Sequence, residues 1–221
     1  DVIEIKLANN KSVRLSATHP VLTPRGWVDA GDLTVGDMMG SPKSTLPVDA
    51  NGGVSVDEAR MLGYLLGDGY MTGKVNGVIN ADEDIISDVK SILARSFPDV
   101  HPVIEQRERS KTVSFRATAE GTGRGKGPRE SKGKSIYDDL SINVWLRGLG
   151  FDGTERSRTK FVPEVLFSSG HDVIANFIAT LWDCDGHVGK RGITFLKTVS
   201  KQMAYQVVDL LDILGIKAAV Q

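Results

Sequence analysis

The sequence predicts an α+β fold: an all-β segment followed by two related half-domains. Two apolar stretches with helical character each end in Asp-Gly, and their acids, Asp68 and Asp185, are 117 residues apart. Alternating apolar and polar residues near the N-terminus and around residues 100–117 predict β-hairpins. With 221 residues and 40% hydrophobic side chains, the chain can bury a core in one or two domains.

The first forty residues predict short strands. VIEIKL and SVRL alternate in polarity and are separated by NNK, a turn sequence. A loop containing Pro20 and Pro24 is predicted after them, because proline interrupts a strand.

The first apolar helix is predicted after Ser55, which forms a capping-box pattern with Glu58. The run that follows is apolar nearly all round, so the helix should be buried. Gly69 is predicted to end it as a left-handed C′ residue. Asp68 then lies in the last turn, where the helix dipole disfavours an anion.

The second apolar helix, within ANFIATLWDCDGHV, repeats this arrangement at Asp185-Gly186, with Ser169 and Asp172 as its predicted cap. Both helices carry small residues four positions apart, so another backbone is expected to approach closely. These small residues are Gly63 and Gly67 in the first helix, and Thr180 and Cys184 in the second.

If the helices pack along these small faces, Asp68 and Asp185 become neighbours at two negative helix ends. Their charges would repel unless a divalent cation lay between them. The residues themselves therefore predict a metal site. Asp183 is turned about 200° away from Asp185 around the helix and is not predicted to be a ligand.

LGYLLGDG and IATLWDCDG resemble the paired motifs of the LAGLIDADG homing endonucleases. The resemblance implies two pseudo-symmetric αββαββα repeats that form a saddle over double-stranded DNA. It also implies that Asp68 and Asp185 bind Mg²⁺, for which Mn²⁺ can substitute, to cleave both strands. Gly67 and Cys184, which precede the two acids, are predicted to belong to the same metal site.

RTKFVPEVLF is similar to the K-x-x-P segment before the second motif of endonuclease-bearing inteins, which places Lys160 near the scissile phosphate. Its counterpart for the other strand is Lys197 or a residue beyond Gln221. Residues 192–216 resemble the strand and helix that follow the second motif. The helix half also has its own periodic pattern, ending before Gly215.

The net charge is −1, but residues 105–134 carry nine Lys or Arg and four Glu. Within them, HPVIEQRER and KTVSFRAT predict a hairpin that turns near Arg109-Ser110. Its polar face, with Thr112, Ser114 and Arg116, suits the major groove. Glu120–Lys134 is interpreted as a solvated linker rather than a specific DNA contact. The predicted DNA contacts are Lys74, Arg107, Arg109, Lys111, Arg116, Arg191 and Lys197.

RLSATHPVLTPRGWVDAGDLTVGD resembles the second splicing block of inteins, within a Hint β-fold. The resemblance assigns splicing-associated positions to Ser16, where threonine is usual, and His19. It also implies a host extein protein as a partner. The printed chain begins with Asp1 and ends with Val220-Gln221, without the splicing nucleophile or the terminal His-Asn pair, so it is expected not to splice as written.

The predicted domains are a partial Hint region at 1–45, a first LAGLIDADG repeat at 55–168 and an incomplete second repeat at 169–221. A monomer with internal pseudo-twofold symmetry is expected. The single cysteine gives no disulfide framework, which indicates a reducing, cytoplasmic setting. The sequence has neither a signal peptide nor a long apolar run, so it does not predict a membrane protein.

Several alternatives stay open. The chain could bind nucleic acid without cleaving it, serve a splicing element whose endonuclease is inactive, or act as an interaction scaffold. Lys160 could be an ordinary surface lysine, Cys184 a small packing residue, and His19 purely structural in this fragment. An EF-hand starting at Asp183 is excluded, because Thr194 stands where the loop needs Glu.

Overall fold

The computed structural model describes residues 2–41, 53–72, 75–106, 109–117 and 136–221. It confirms the predicted α+β class. The helices are α1 Val56–Leu66, α2 Glu83–Ser96, α3 Ser141–Gly148, α4 His171–Asp185 and α5 Lys201–Ile213. The strands are β1 Val2–Lys6, β2 Ser12–Ser16, β3 Pro20–Thr23, β4 Gly26–Asp29, β5 Gly69–Met71, β6 Asn76–Asn80, β7 Val100–Gln106, β8 Lys111–Ala117, β9 Gly186–Val188 and β10 Thr194–Leu196.

The chain forms two compact units. The first consists of Asp1–Leu46 together with Ala204–Gln221, and the second is Pro47–Met203. No helix in the described part of the chain is long and apolar enough to cross a membrane.

The first unit contains two antiparallel hairpins, β1–β2 and β3–β4. The predicted turn is confirmed, and Asn10 takes the left-handed conformation in it, with a φ of 66°. The prediction of a loop at Pro20 is wrong, because Pro20 pairs with Asp29 and begins β3. Proline is tolerated there, since the first residue of a strand need not donate to the ladder.

A lysine in the β1–β2 turn links that turn to two carboxylates of the first unit. The Lys11 ammonium lies 2.5 Å from a carboxylate oxygen of Asp209 and 2.6 Å from one of Asp212. Both carboxylates raise the pKa of Lys11 against the effect of its burial, which lowers it. The turn is therefore held to the C-terminal part of the unit.

The second unit is built on a four-stranded antiparallel sheet in the order β5-β6-β8-β7. The predicted β7–β8 hairpin is confirmed, and Arg109 and Ser110 lie in its connection. Val78 and Val113 pair across β6 and β8 and are fully buried, as is nearly all of Phe115. This apolar row forms part of the core of the unit.

The prediction of an open polar face on β8 is wrong for two of its residues. Thr112 and Ser114 are 3% and 4% exposed, respectively. The Ser114 hydroxyl lies 2.9 Å from the Tyr70 hydroxyl, while the Thr112 hydroxyl is buried without a hydrogen-bond partner among the described residues. Alternation assigns a side chain to a face of the sheet, but it does not decide whether that face is covered.

Candidate active site

Helix α1 begins as predicted and positions the first acid. Ser55 accepts a hydrogen bond from the Glu58 backbone N–H, and the Glu58 carboxylate accepts one from the Ser55 N–H at 2.8 Å. This capping box satisfies two backbone donors at the helix start. The residues from Met61 to Leu66 are buried, which confirms that the helix is buried nearly all round.

Small residues let α1 and α4 pack backbone to backbone. A Cβ added to Gly63 would lie 2.0 Å from Thr180 Oγ1 and 2.8 Å from the Phe177 carbonyl oxygen. A Cβ on Gly67 would lie 2.4 Å from that of Cys184. The predicted close approach of another backbone is confirmed, and the approaching element is the second apolar helix.

The glycines after the acids have a different role from the one predicted. Gly69 has no positive φ and begins β5, and Gly186 has φ −78° and ψ 155° and begins β9. A Cβ at Gly69 would lie 2.4 Å from the Leu65 carbonyl oxygen, and one at Gly186 2.2 Å from the Trp182 carbonyl oxygen. Each glycine therefore allows the strand to leave the helix end sharply, without a left-handed residue.

The predicted cap of α4 is also wrong. The helix begins after Gly170, and no side chain caps it. The Ser169 hydroxyl instead donates to the Val165 carbonyl oxygen at 2.9 Å, inside the preceding 3₁₀ turn. The fully buried Ser169 side chain therefore stabilises the 3₁₀ turn before the helix instead of capping α4.

Each acid lies at the end of a packed helix and directly precedes the glycine that begins the next strand. Asp185 is the last residue of α4, and Asp68 lies between α1 and β5. Burial and the charge of Asp68 raise the pKa of Asp185, whereas Lys160 lowers it. Burial, followed by the charge of Asp68, raises the pKa of the Cys184 thiol to about 12, so the thiol stays protonated at neutral pH. A raised pKa of Asp185 beside the Asp68 charge is the direction that two like charges at neighbouring helix ends would give.

Asn80 is a site residue that the sequence analysis missed. Its amide donates to Asp68 Oδ2 at 2.6 Å and holds that carboxylate in one orientation. The signal was available in the hairpin register: Gly69 pairs with Val78, so the end of β6 returns beside Asp68. After Asp185 the corresponding pair is Gly186 and Leu196 in β9–β10.

The ammonium group of Lys160 lies at the C-terminal end of α1. It donates to the carbonyl oxygens of four residues at 2.8–3.3 Å. Burial lowers the pKa of Lys160, while the charges of Asp185 and Asp68 raise it. Lys160 is therefore not an ordinary surface lysine. The four acceptors are Leu65, Leu66, Gly67 and Gly69.

The donor set at the helix ends suits a hydrated Mg²⁺ or Mn²⁺ ion. Mg²⁺ typically binds one or two carboxylates and completes its coordination with water and substrate phosphates. Asp68 and Asp185 supply carboxylates, and the Gly67 carbonyl oxygen already accepts from a cation, the ammonium of Lys160. Among the described residues there is no cluster of three or more His, Cys, Asp or Glu side chains for a fully protein-bound metal.

The predicted DNA contacts are spread over several elements. Arg109 and Arg191 are exposed in turns, and Lys197 is exposed just after β10, with its N–H 3.4 Å from the Asp185 carbonyl oxygen. Lys111 forms an ion pair with Glu83, and Arg116 is half-buried on β8. The predictions for Lys74, Arg107 and most of the basic run at 105–134 fall outside the described residues.

The splicing-associated residues lie in the first unit. Ser16 ends β2 and His19 follows a tight turn, and both side chains are exposed. The Ser16 carbonyl oxygen accepts from the His19 N–H at 3.0 Å, and the His19 carbonyl oxygen accepts from the Ala30 N–H at 2.8 Å. The backbone around His19 is thus well fixed.

One family model matches the C-terminal part of the chain. Residues 172–221 match the LAGLIDADG-like domain. The match starts within α4 and includes Asp185, so it confirms the LAGLIDADG resemblance for the second motif. LAGLIDADG domains bind double-stranded DNA and are typically DNA endonucleases.

The chain spans only a fraction of the length of the similar proteins that it matches. The chain is 32% identical over 216 residues to the replicative DNA helicase DnaB of Rhodothermus marinus, covering 94% of this chain and 21% of the helicase. It is 29% identical over 231 residues to RecA of Mycobacterium tuberculosis, covering 100% and 26%. It is 25% identical over 225 residues to the replication factor C small subunit of Methanocaldococcus jannaschii, covering 98% and 11%.

Proposed function

We propose that this chain is the site-specific homing endonuclease part of an intein, making a metal-dependent double-strand break in DNA. The observation that carries the proposal is the pair of acids, Asp68 and Asp185, at the ends of two helices packed through small residues. Repelling carboxylates at two negative helix ends suit a divalent cation far better than a purely structural helix pair.

The pattern of relatives supports an inserted element. Proteins with three different names, DnaB, RecA and replication factor C small subunit, match at least 94% of this chain, yet the chain spans at most 26% of their lengths. One segment shared by differently named proteins is what an element inserted into several hosts would give. The matches extend over both the N-terminal hairpins and the LAGLIDADG-like part. Both regions are therefore proposed to belong to the same inserted element.

The proposed mechanism assigns a task to each residue at the helix ends. Asp68 and Asp185 would each hold a divalent cation, and Asn80 fixes the orientation of the Asp68 carboxylate. When bound, such a cation activates water and stabilises the leaving oxygen of a phosphodiester. Lys160 provides positive charge beside the acids, and exposed Arg109, Arg191 and Lys197 are proposed to contact phosphates.

The N-terminal hairpins are proposed to be part of a splicing domain of the Hint type. Ser16 and His19 are exposed on a backbone turn held by hydrogen bonds to neighbouring segments. A host extein protein would then be the covalent partner of the full-length precursor, and the DNA target would be the insertion site in its gene.

The first test is cleavage of a randomised double-stranded DNA library in Mg²⁺. The wild-type chain is expected to cut a small set of related sequences, whereas the Asp68→Asn/Asp185→Asn double variant and wild type in EDTA should cut none. Asp183→Asn is the matched control, because Asp183 is an exposed acid on the same turn of α4. Enrichment of bound but uncut sequences in Mg²⁺ would overturn the endonuclease and favour a DNA-binding protein without cleavage activity.

A further inference from the structure

Lys160 binds the end of α1 as a counter-ion would. The last carbonyl groups of a helix have no intrahelical partner and carry partial negative charge. An ammonium group has three donors, and here four carbonyl oxygens lie within 3.3 Å of it, the Gly67 oxygen at 3.1 Å. The side chain therefore offsets both the helix dipole and the charge of Asp68.

The backbone of Lys160 is held as well. Its carbonyl oxygen accepts from the Ser200 hydroxyl at 2.6 Å, and Ser200 in turn accepts from the Met203 N–H in the first turn of α5. Ser200 is fully buried. The lysine thus enters the helix ends from a fixed point and is not a freely moving surface group.

The carbonyl oxygen of Gly67 is an acceptor for which Lys160 and a divalent cation at the acids would compete. Glycine has no side chain, so Gly67 can serve a metal only through its backbone, and that oxygen already accepts from Lys160. A divalent cation near Asp68 and Asp185 would also repel the ammonium group directly. The Lys160 ammonium and a divalent cation would therefore not both occupy their most favourable positions at the Gly67 oxygen.

We infer that Lys160 is a positioning residue that neutralises the carbonyl end of α1 beside the two acids in the metal-free protein and competes with the divalent cation for the Gly67 carbonyl oxygen. This inference rests on the proposed function, since it needs a cation at the acids. With a cation bound at the acids, Lys160 would give up the Gly67 carbonyl oxygen, and its ammonium group would be free to approach a phosphate oxygen.

The test is Mn²⁺ binding without DNA, measured by calorimetry on wild type and Lys160→Met. Lys160→Met is expected to bind Mn²⁺ about tenfold more tightly, since a competing positive charge is gone. Its Tm in EDTA should be lower than that of wild type, and Mn²⁺ should raise it by more. Lys190→Met is the matched control, removing one exposed lysine from the β9–β10 turn, and should bind like wild type.

Unchanged or weaker Mn²⁺ binding by Lys160→Met would overturn the inference while leaving the proposed function intact. If wild type binds no Mn²⁺ that depends on Asp68 and Asp185, with or without DNA, the proposed metal site itself fails. If Lys160→Met does not fold, the alternative test is lysine acylation of the wild-type chain, measured by mass spectrometry. Mn²⁺ should raise the acylation rate at Lys160 relative to Lys190, and no rise would contradict displacement.

Discussion

Replacing Gly63 with alanine is expected to lower the free energy of unfolding by about 3 kcal/mol or more, near the upper end of the cost of overpacking a core. The added Cβ would meet Thr180 Oγ1 at 2.0 Å and two backbone atoms of α4, the Phe177 oxygen at 2.8 Å and the Leu181 nitrogen at 2.9 Å. Because backbone atoms cannot rotate away, α1 and α4 must separate. Urea and thermal unfolding followed by circular dichroism would measure the loss, with Tm falling by roughly 6–12 °C.

Gly148→Ala is the matched control for this experiment. Gly148 is the last residue of α3, and a Cβ there meets nothing within 4 Å. Alanine is the better helix former by roughly 1 kcal/mol in a helix interior, so this variant should be as stable as wild type or more stable. If Gly63→Ala is as stable as Gly148→Ala, the two helices do not pack as described, and the neighbouring positions of the acids lose their support.

The single variants Asp68→Asn and Asp185→Asn are each expected to slow cleavage of one DNA strand by at least about a hundredfold, an increase in barrier of about 3 kcal/mol. Asparagine keeps the size of the side chain but removes the negative charge that is proposed to hold the cation. Each variant should therefore turn the enzyme into a nicking enzyme with its own preferred strand. The rates are read from a duplex selected from the library, with a different label on each strand.

Asp183→Asn should leave cleavage of both strands at the wild-type rate, because Asp183 faces away from the acid pair and is exposed. Equal loss on both strands in both single variants would contradict the assignment of one acid to each strand. Full activity in either variant would remove that acid from the site altogether.

Local patterns were sufficient where one helix or hairpin decides the structure. The capping box at Ser55 and Glu58 depends only on residues three apart, and it formed as predicted. Gly63 and Gly67 predicted the close approach of another backbone. Glycine lowers the stability of a helix, so two glycines four residues apart are expected only where close packing offsets that loss.

The wrong predictions share a physical reason. Each depends on contacts that the residue makes in the folded protein, which local sequence patterns do not specify. Gly69 was expected to take a positive φ, but it does not. Glycine is required at this position because a side chain would collide with the Leu65 backbone where the chain turns out of the helix. Ser114 alternates like an exposed residue, yet it is buried against Tyr70. Asn80 was missed because its importance depends on the hairpin register that brings it to Asp68.

Asp68 and Asp185 are proposed to hold divalent cations at the paired helix ends. The most direct measurement is a crystal structure with the selected DNA duplex in Mn²⁺, with the metal located by its anomalous scattering. Anomalous peaks are expected within coordination distance of both carboxylates. Peaks at other residues, with neither Asp68 nor Asp185 in contact with metal, would contradict it.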